Sequence, residues 1–224
     1  MRTVGILGGM GPEATILLMQ RLLRAVPARN DADHIPLIVH QNPAVPSRIA
    51  RLIEGQGEDP GPVLAAMARD LQAAGAKALA MPCNTAHGFV PQIIAASSLP
   101  FLDMRTATVA TLPPGRVGML ASPAVRLTGV FDEAMKSAGT EPVWPQDDAP
   151  VLALIQRVKA GGSGPDAMTQ MAQLADQMAR QSDHLLVACT ELSLLTGAIA
   201  QPFTDSLDCL VTAIAAFAQG HTPD

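Results

Sequence analysis

The chain has 224 residues, of which 48% are hydrophobic, 16% charged and 3% aromatic, and its formal net charge is −5 at pH 7. This length is ample for one or two globular domains with a buried core. Because the lysines are scattered and aromatic side chains are scarce, we expect no nucleic-acid partner. The composition favours a small polar ligand instead.

The hydrophobic runs are too short or too interrupted for a membrane protein. A spanning helix needs roughly 18 uncharged residues, and Glu191 breaks the best candidate, residues 184–200. The first residues lack the continuous apolar region of a signal peptide. We therefore expect a cytoplasmic protein with no membrane partner, in which an odd number of cysteines argues against a disulfide framework.

Short apolar runs alternate with longer amphipathic segments along the chain. The runs that predict strands are residues 3–8, 36–40, 78–81, 116–121 and 184–188. The segments that predict helices are residues 16–26, 62–73, 126–138, 166–181 and 207–218. This alternation is typical of an α/β fold with a mainly parallel sheet. The turn-forming residues at 161–165 predict a mobile loop.

The two halves of the chain echo one another. Residues 4–7 match residues 117–120 at an offset of 117 − 4, or 113 residues, and the strand before Cys83 matches the strand before Cys189 at an offset of 189 − 83, or 106. These offsets predict two related α/β domains, at residues 1–100 and 101–206. We expect the C-terminal helix, at about residues 207–224, to pack back on the first domain.

Cys83 and Cys189 each follow a predicted strand and precede a predicted helix. Ligands of parallel α/β sheets bind at the carboxyl ends of strands, and the N–H groups that open a helix favour a thiolate and lower its pKa. Either cysteine alone is explained as well by a small buried hydrophobic residue. Two in matching places, facing each other across a pseudo-twofold, predict opposed acid/base thiols for proton transfer at one carbon.

Three segments carry a family resemblance: residues 8–15 (GGMGPEAT), 82–87 (PCNTAH) and 189–192 (CTEL). They resemble the aspartate racemase branch of the aspartate/glutamate/hydantoin racemase superfamily. The resemblance implies two flavodoxin-like parallel-sheet domains related by a pseudo-twofold, with the active site between them, usually in a homodimer. It also implies an isomerase with no pyridoxal phosphate, metal or nucleotide cofactor.

The resemblance further implies roles for individual residues. Cys83 and Cys189 fall on the two catalytic positions. The positions implied to bind substrate are Met10 in the glycine-rich loop, Arg48, Asn84, Thr85, Lys159, Thr190 and Glu191. Among these, Arg48 and Lys159 are the expected clamps for substrate carboxylates, and Glu191 stands where the glutamate racemase branch usually has histidine. Ser47, Ile49, Ala188 and Ser193 depart from the family's usual residues, which leaves the side-chain specificity open.

The expected reaction is therefore cofactor-independent racemisation of aspartate or glutamate by two cysteines. Two other readings stay open: a related carbon-acid isomerase or decarboxylase, and a non-catalytic small-acid binding protein. A dinucleotide-binding domain is disfavoured although residues 9–14 satisfy G-x-G-x-x-A. Glu13 would oppose a pyrophosphate, and the next predicted strand is not followed by the acidic residue that binds a ribose.

Overall fold

The computed structural model describes residues 1–221, and in these residues the chain forms two four-stranded sheets with every strand pair parallel. The sheet orders are β2-β1-β3-β4 and β6-β5-β7-β8, so the second sheet repeats the topology of the first. The strands are β1 (Val4–Gly8), β2 (Leu37–Gln41), β3 (Ala78–Ala80), β4 (Phe101–Leu102), β5 (Gly115–Ala121), β6 (Thr140–Val143), β7 (His184–Ala188) and β8 (Phe203–Asp205). The predicted α/β class with two similar parallel sheets is confirmed.

Helices connect and cover these strands. They are α1 (Pro12–Ala25), α2 (Arg48–Leu52), α3 (Gly61–Ala73), α4 (Val90–Ala96), α5 (Met104–Val109), α6 (Pro123–Thr128), α7 (Asp132–Ser137), α8 (Ala149–Lys159), α9 (Pro165–Ala179) and α10 (Ser206–Ala218). Short 3-10 helices lie at Asp31–Asp33, Thr85–Phe89 and Leu192–Ala198. Several α-helices have a proline as their first or second residue, where its missing N–H is not needed.

The predicted strands agree with β1, β2, β3, β5 and β7 to within one residue at each end. The prediction of one helix over residues 126–138 is wrong. Gly129 adopts φ 58, the left-handed conformation that caps a helix C-terminus, so α6 ends there and α7 begins at Asp132.

Each sheet is covered by apolar side chains on both faces, as a parallel sheet requires. Alternate residues of β1 point to opposite sides, with Val4 and Ile6 in one cluster and Leu7 in another. Helix α10, although last in the chain, supplies Leu207, Leu210, Val211, Ile214 and Phe217 to the cluster on the first sheet. This packing joins the two ends of the chain.

The predicted domain bounds stay predictions. β4 pairs with β3 in the first sheet although it lies just past the expected boundary at residue 100. Residues 222–224, the end of the expected C-terminal segment, lie outside the described residues. Of the helices within residues 1–221, none combines the length and the apolar character needed to cross a bilayer.

The repeated topology sets the two cysteines in equivalent places. Cys189 directly follows β7, and Cys83 lies three residues beyond β3, the corresponding strand of the first sheet. Both positions are at the carboxyl ends of inner strands, the edge of a parallel sheet at which ligands bind.

Candidate active site

A small cavity lies between the two halves of the chain. Its wall is formed by Met10, Ser47, Arg48, Ile49, Cys83, Thr85, Ser122, Ile155, Lys159, Cys189 and Glu191. Both candidate catalytic cysteines are in this wall, together with five of the seven predicted substrate-binding residues. The other two, Asn84 and Thr190, do not line it.

The glycine-rich loop after β1 needs its second glycine. Gly9 adopts φ +96, and a Cβ atom on it would lie 2.5 Å from the backbone of Asn42. Its N–H donates to the Thr15 hydroxyl at 3.0 Å, which fixes the turn against α1. A side chain at position 9 would therefore disrupt the turn that brings Met10 to the cavity.

Cys83 and Cys189 lie in two short loops, residues 81–84 and 189–191, which we call the first and second cysteine loops. Each loop continues into a 3-10 helix and not into an α-helix, at Thr85–Phe89 and Leu192–Ala198. A short 3-10 helix aligns few peptide dipoles and has poorer hydrogen-bond geometry. The thiols are nearly closed to solvent, with Cys83 6% and Cys189 5% exposed. Stabilisation of a thiolate by a helix N-terminus is accordingly weaker than the sequence led us to expect.

Cys189 lies in a chain of acid/base groups. Its Sγ donates to Glu191 Oε2 at 3.1 Å, and Glu191 Oε1 lies 3.2 Å from Lys159 Nζ. Burial raises the pKa of the Cys189 thiol well above its ordinary value, and the Glu191 charge and hydrogen bond raise it further. The expectation of a lowered pKa is thus wrong for Cys189, because the thiol is buried and its hydrogen-bond partner is a carboxylate.

The pKa of Lys159 responds to opposing effects. Burial lowers it, but the charges of Glu191 and of the two cysteines favour the ammonium form, so the pKa is raised overall. Lys159 therefore stays a cation, and it contributes positive charge to a cavity that also contains two thiols and a carboxylate.

Arg48 reaches the cavity wall from the first turn of α2, which Ser47 caps by accepting from Ala50 N–H at 3.2 Å. Its Nη1 donates to the carbonyls of Val45 and Pro46, and its Nη2 donates to the carbonyl of Met10. These bonds tie α2 to the glycine-rich loop. They leave the buried Nε–H without a hydrogen-bond partner among the described residues and one N–H of Nη2 unused, so that edge of the guanidinium can still bind a carboxylate.

Thr190 and Asn84 bind protein groups instead of facing the cavity. The Thr190 hydroxyl donates to the Pro82 carbonyl at 3.1 Å, which links the two cysteine loops directly. The Asn84 amide donates to the Ser206 hydroxyl of α10 at 3.0 Å. Within the described part of the chain, the buried Asn84 Oδ1 has no hydrogen-bond partner.

His87 forms a hydrogen bond with the backbone of the first cysteine loop. Its Nδ1 lies 2.8 Å from the Cys83 carbonyl, which can only accept, so Nδ1 carries the proton and donates. Full burial lowers the pKa of His87 to about 4, although Asp103 Oδ1 at 3.7 Å from Nε2 opposes the shift. The ring is therefore neutral at neutral pH.

Sequence reasoning assigned no site role to Ser47, Ile49, Ser122 and Ile155, which complete the wall. Two of them carried a usable signal. Ser122 follows β5 at the position that the 113-residue offset maps onto Gly9. Ile155 lies four residues before Lys159 on α8, so both side chains share one face of that helix.

Comparison with known proteins places the chain in a family. A sequence model described as Asp/Glu/Hydantoin racemase matches residues 7–214. The chain is 26% identical over 220 residues to the broad specificity amino-acid racemase RacX of Bacillus subtilis, a match that covers 92% of this chain and 94% of that protein.

Solved structures agree in fold. Picrophilus torridus aspartate racemase superposes with a TM-score of 0.89 at 27% identity, over 98% of this chain and 95% of that one. Glutamate racemase from Francisella tularensis has the same fold, with a TM-score of 0.66 at 16% identity over 96% of this chain and 80% of that one. Since the family match runs from β1 into α10, the chain is a racemase and belongs to the Asp/Glu/hydantoin racemase family.

Proposed function

We propose that the chain interconverts the L- and D-forms of an acidic amino acid, aspartate or glutamate, without a cofactor. In this reaction Cys83 and Cys189 act as the two bases that exchange a proton with Cα. The observation that supports it best is that both thiols line one cavity from the ends of equivalent strands. Two proton-transfer groups contributed by opposite halves of the protein suit a reaction that uses both faces of one carbon.

The chemistry needs one thiolate and one thiol at a time. The thiolate removes the Cα proton from one face, and the thiol then delivers its own proton to the other face. Each cysteine consequently serves as base for one enantiomer and as acid for the other. A positioned acid or base contributes about 10²- to 10⁴-fold to a rate, so both thiols are needed for efficient turnover.

An acidic substrate suits the charges of the cavity. Lys159 and Arg48 are cations in its wall, and an acidic amino acid carries two carboxylates. Lys159 is a candidate for the side-chain carboxylate, because its ammonium has three N–H groups and can bind a second carboxylate besides Glu191. Arg48 offers its Nε–H, which is unpartnered within residues 1–221. The Picrophilus torridus relative is itself an aspartate racemase.

We further propose that the racemase is cytoplasmic, as its hydrophobic pattern suggests, and that it works as a homodimer, as the family resemblance implies. Light scattering of the purified protein tests the assembly, with a mass of twice 23.3 kDa expected. A monomer with full activity would contradict it.

The activity is tested by proton NMR of the Cα–H signal in deuterium oxide, across L- and D-amino acids. We expect loss of the signal and inversion for aspartate or glutamate after dialysis against a chelator and treatment with a carbonyl reagent. No exchange with any amino acid would contradict the proposal. A large loss of activity that pyridoxal phosphate restores would contradict cofactor independence.

A further inference from the structure

Glu191 accepts a hydrogen bond from the sulfur of a candidate catalytic cysteine. Its two carboxylate oxygens face different partners, with Oε2 accepting from the Cys189 thiol at 3.1 Å and Oε1 lying 3.2 Å from Lys159 Nζ. The residue is only 7% exposed and lines the cavity. A buried carboxylate in this position favours the protonated form of the thiol, and the neighbouring ammonium neutralises the charge of the carboxylate.

The other charged and titratable groups of the cavity lie on separate elements. They are Lys159 at the end of α8, Arg48 at the start of α2, and Cys83 in the first cysteine loop. Among the contacts of the described residues, Cys189 donates a hydrogen bond to Glu191 and Cys83 does not. The two thiols therefore stand in unequal electrostatic surroundings although the topology makes them equivalent.

We infer that Glu191 makes the two thiols unequal in function: it keeps Cys189 as the proton-carrying thiol of the resting enzyme and leaves Cys83 as the first base. The inference rests on the proposed two-thiol reaction and deepens it. For one enantiomer Cys83 takes the Cα proton, and the Cys189 S–H bond breaks as its proton passes to the opposite face of the carbon. The other enantiomer follows the same steps in reverse, with Cys189 as the base once its proton has passed to Glu191.

The same residue supplies the return path. After that step the Cys189 thiolate stands beside the Glu191 carboxylate, and two anions at hydrogen-bond distance repel each other. Glu191 accepts a proton from solvent and passes it to the sulfur, while Cys83 releases one proton to solvent, which neutralises the hydroxide that a water donor leaves behind. Protons balance over the cycle, and no group is oxidised or reduced. Lys159 stabilises the carboxylate between these transfers.

The test measures the ionisation of each thiol in the absence of substrate. The double variant Cys83→Ser/Cys209→Ser leaves Cys189 as the one thiol of the 224-residue sequence, and thiolate ultraviolet absorbance then reports its titration. Adding Glu191→Gln removes the charge with little change in shape. We expect the Cys189 midpoint to fall by at least about one pH unit, a tenfold change in its ionisation constant.

Glu13→Gln is the matched control. Its carboxylate lies near the same loop, since a Cβ atom on Gly11 would be 3.4 Å from Glu13 Oε2 and 3.7 Å from Glu191 Oε1. Glu13 is exposed and outside the cavity wall, so its removal should leave the Cys189 midpoint almost unchanged. Glu191→Asp keeps the charge but draws it away from the sulfur, and we expect a smaller fall. If Glu191→Gln fails to fold, the Cys189 midpoint of Glu191→Asp provides the test.

In the wild-type cysteine background, Glu191→Gln should move the alkaline limb of the kcat/KM profile to lower pH, because that limb reports loss of the donor proton. An unchanged Cys189 midpoint, or an equal shift with Glu13→Gln, would overturn the inference. The titration needs no turnover. A shifted midpoint in a protein that racemises nothing would instead overturn the proposed function and leave the role of Glu191 in thiol ionisation standing.

Discussion

Acid should destabilise the protein through His87, because the buried ring accepts a proton less readily than the same residue in the unfolded chain. Its pKa is about 4 in the fold, against 6.5 ordinarily. Above pH 6.5 the ring is neutral in both states and its contribution to stability is complete. Between 6.5 and 4 the unfolded chain binds the extra proton, so stability falls as the pH falls.

The size of the effect follows from the shift. A difference of 6.5 − 4 in pKa corresponds to about 3 kcal/mol once the pH has passed below both values, and about 2 kcal/mol of it is lost by a pH of about 5. His87→Phe keeps an aromatic ring against Phe101, whose centroid is 5.7 Å away, and removes the titration. The variant also loses the bond to the Cys83 carbonyl, so near neutral pH it should be less stable by about 1–3 kcal/mol.

The assay is urea unfolding of both proteins at several pH values between about 7 and 4.5. We expect the stability gap between wild type and His87→Phe to narrow steadily as the pH falls, because only the wild type loses stability through this residue. His184→Gln is the control at a partly exposed histidine, and it should change the pH dependence less. A gap that stays constant with pH would refute the reasoning.

The remaining predictions concern contacts between distant segments of the chain and one side chain of the cavity wall. Thr190→Val removes the hydroxyl that joins the two cysteine loops. We expect roughly tenfold slower racemisation, a smaller loss of Cα–H exchange for deuterium without inversion, and recovery of both in Thr190→Ser, because the hydroxyl aligns the two thiols. Equal losses of exchange and inversion would contradict this role in alignment. Arg21 of α1 forms an ion pair with the buried carboxylate of Asp205 at the end of β8. Arg21→Met leaves that carboxylate without its partner and should lower the free energy of unfolding by about 3–5 kcal/mol, with partial recovery on adding Asp205→Asn. An unchanged urea midpoint would contradict this. Lys159→Met should reduce kcat/KM far more for aspartate than for alanine, and equal losses would remove Lys159 from side-chain recognition.

The repeat within the sequence was the most informative signal for both fold and site. It located Cys83 and Cys189 at equivalent strand ends, and the two sheets have the same strand order. The strands that periodicity missed, β4, β6 and β8, all lie at sheet edges and have two to four residues. Such strands are too short to show a pattern, and β6 contains Pro142, which a sheet tolerates at an edge.

Partnerships between side chains were beyond sequence reasoning. The donors of Arg48 bind three backbone carbonyls, and the Thr190 hydroxyl binds a carbonyl of the other cysteine loop. These contacts depend on how distant segments meet, and periodicity describes only local structure. The raised pKa of Cys189 was missed for the same reason, because it depends on burial and on the orientation of the Glu191 side chain.

The central claim is that two opposed thiols exchange protons with the two faces of one carbon. The most direct test follows both Cα–H exchange and inversion in deuterium oxide for Cys83→Ser and Cys189→Ser, starting from each enantiomer of the substrate. We expect each variant to lose about 10²- to 10⁴-fold in racemisation while still exchanging the proton of one enantiomer, with opposite enantiomers favoured by the two variants. Near-normal racemisation in both variants, or the same enantiomer favoured by both, would contradict the two-thiol account.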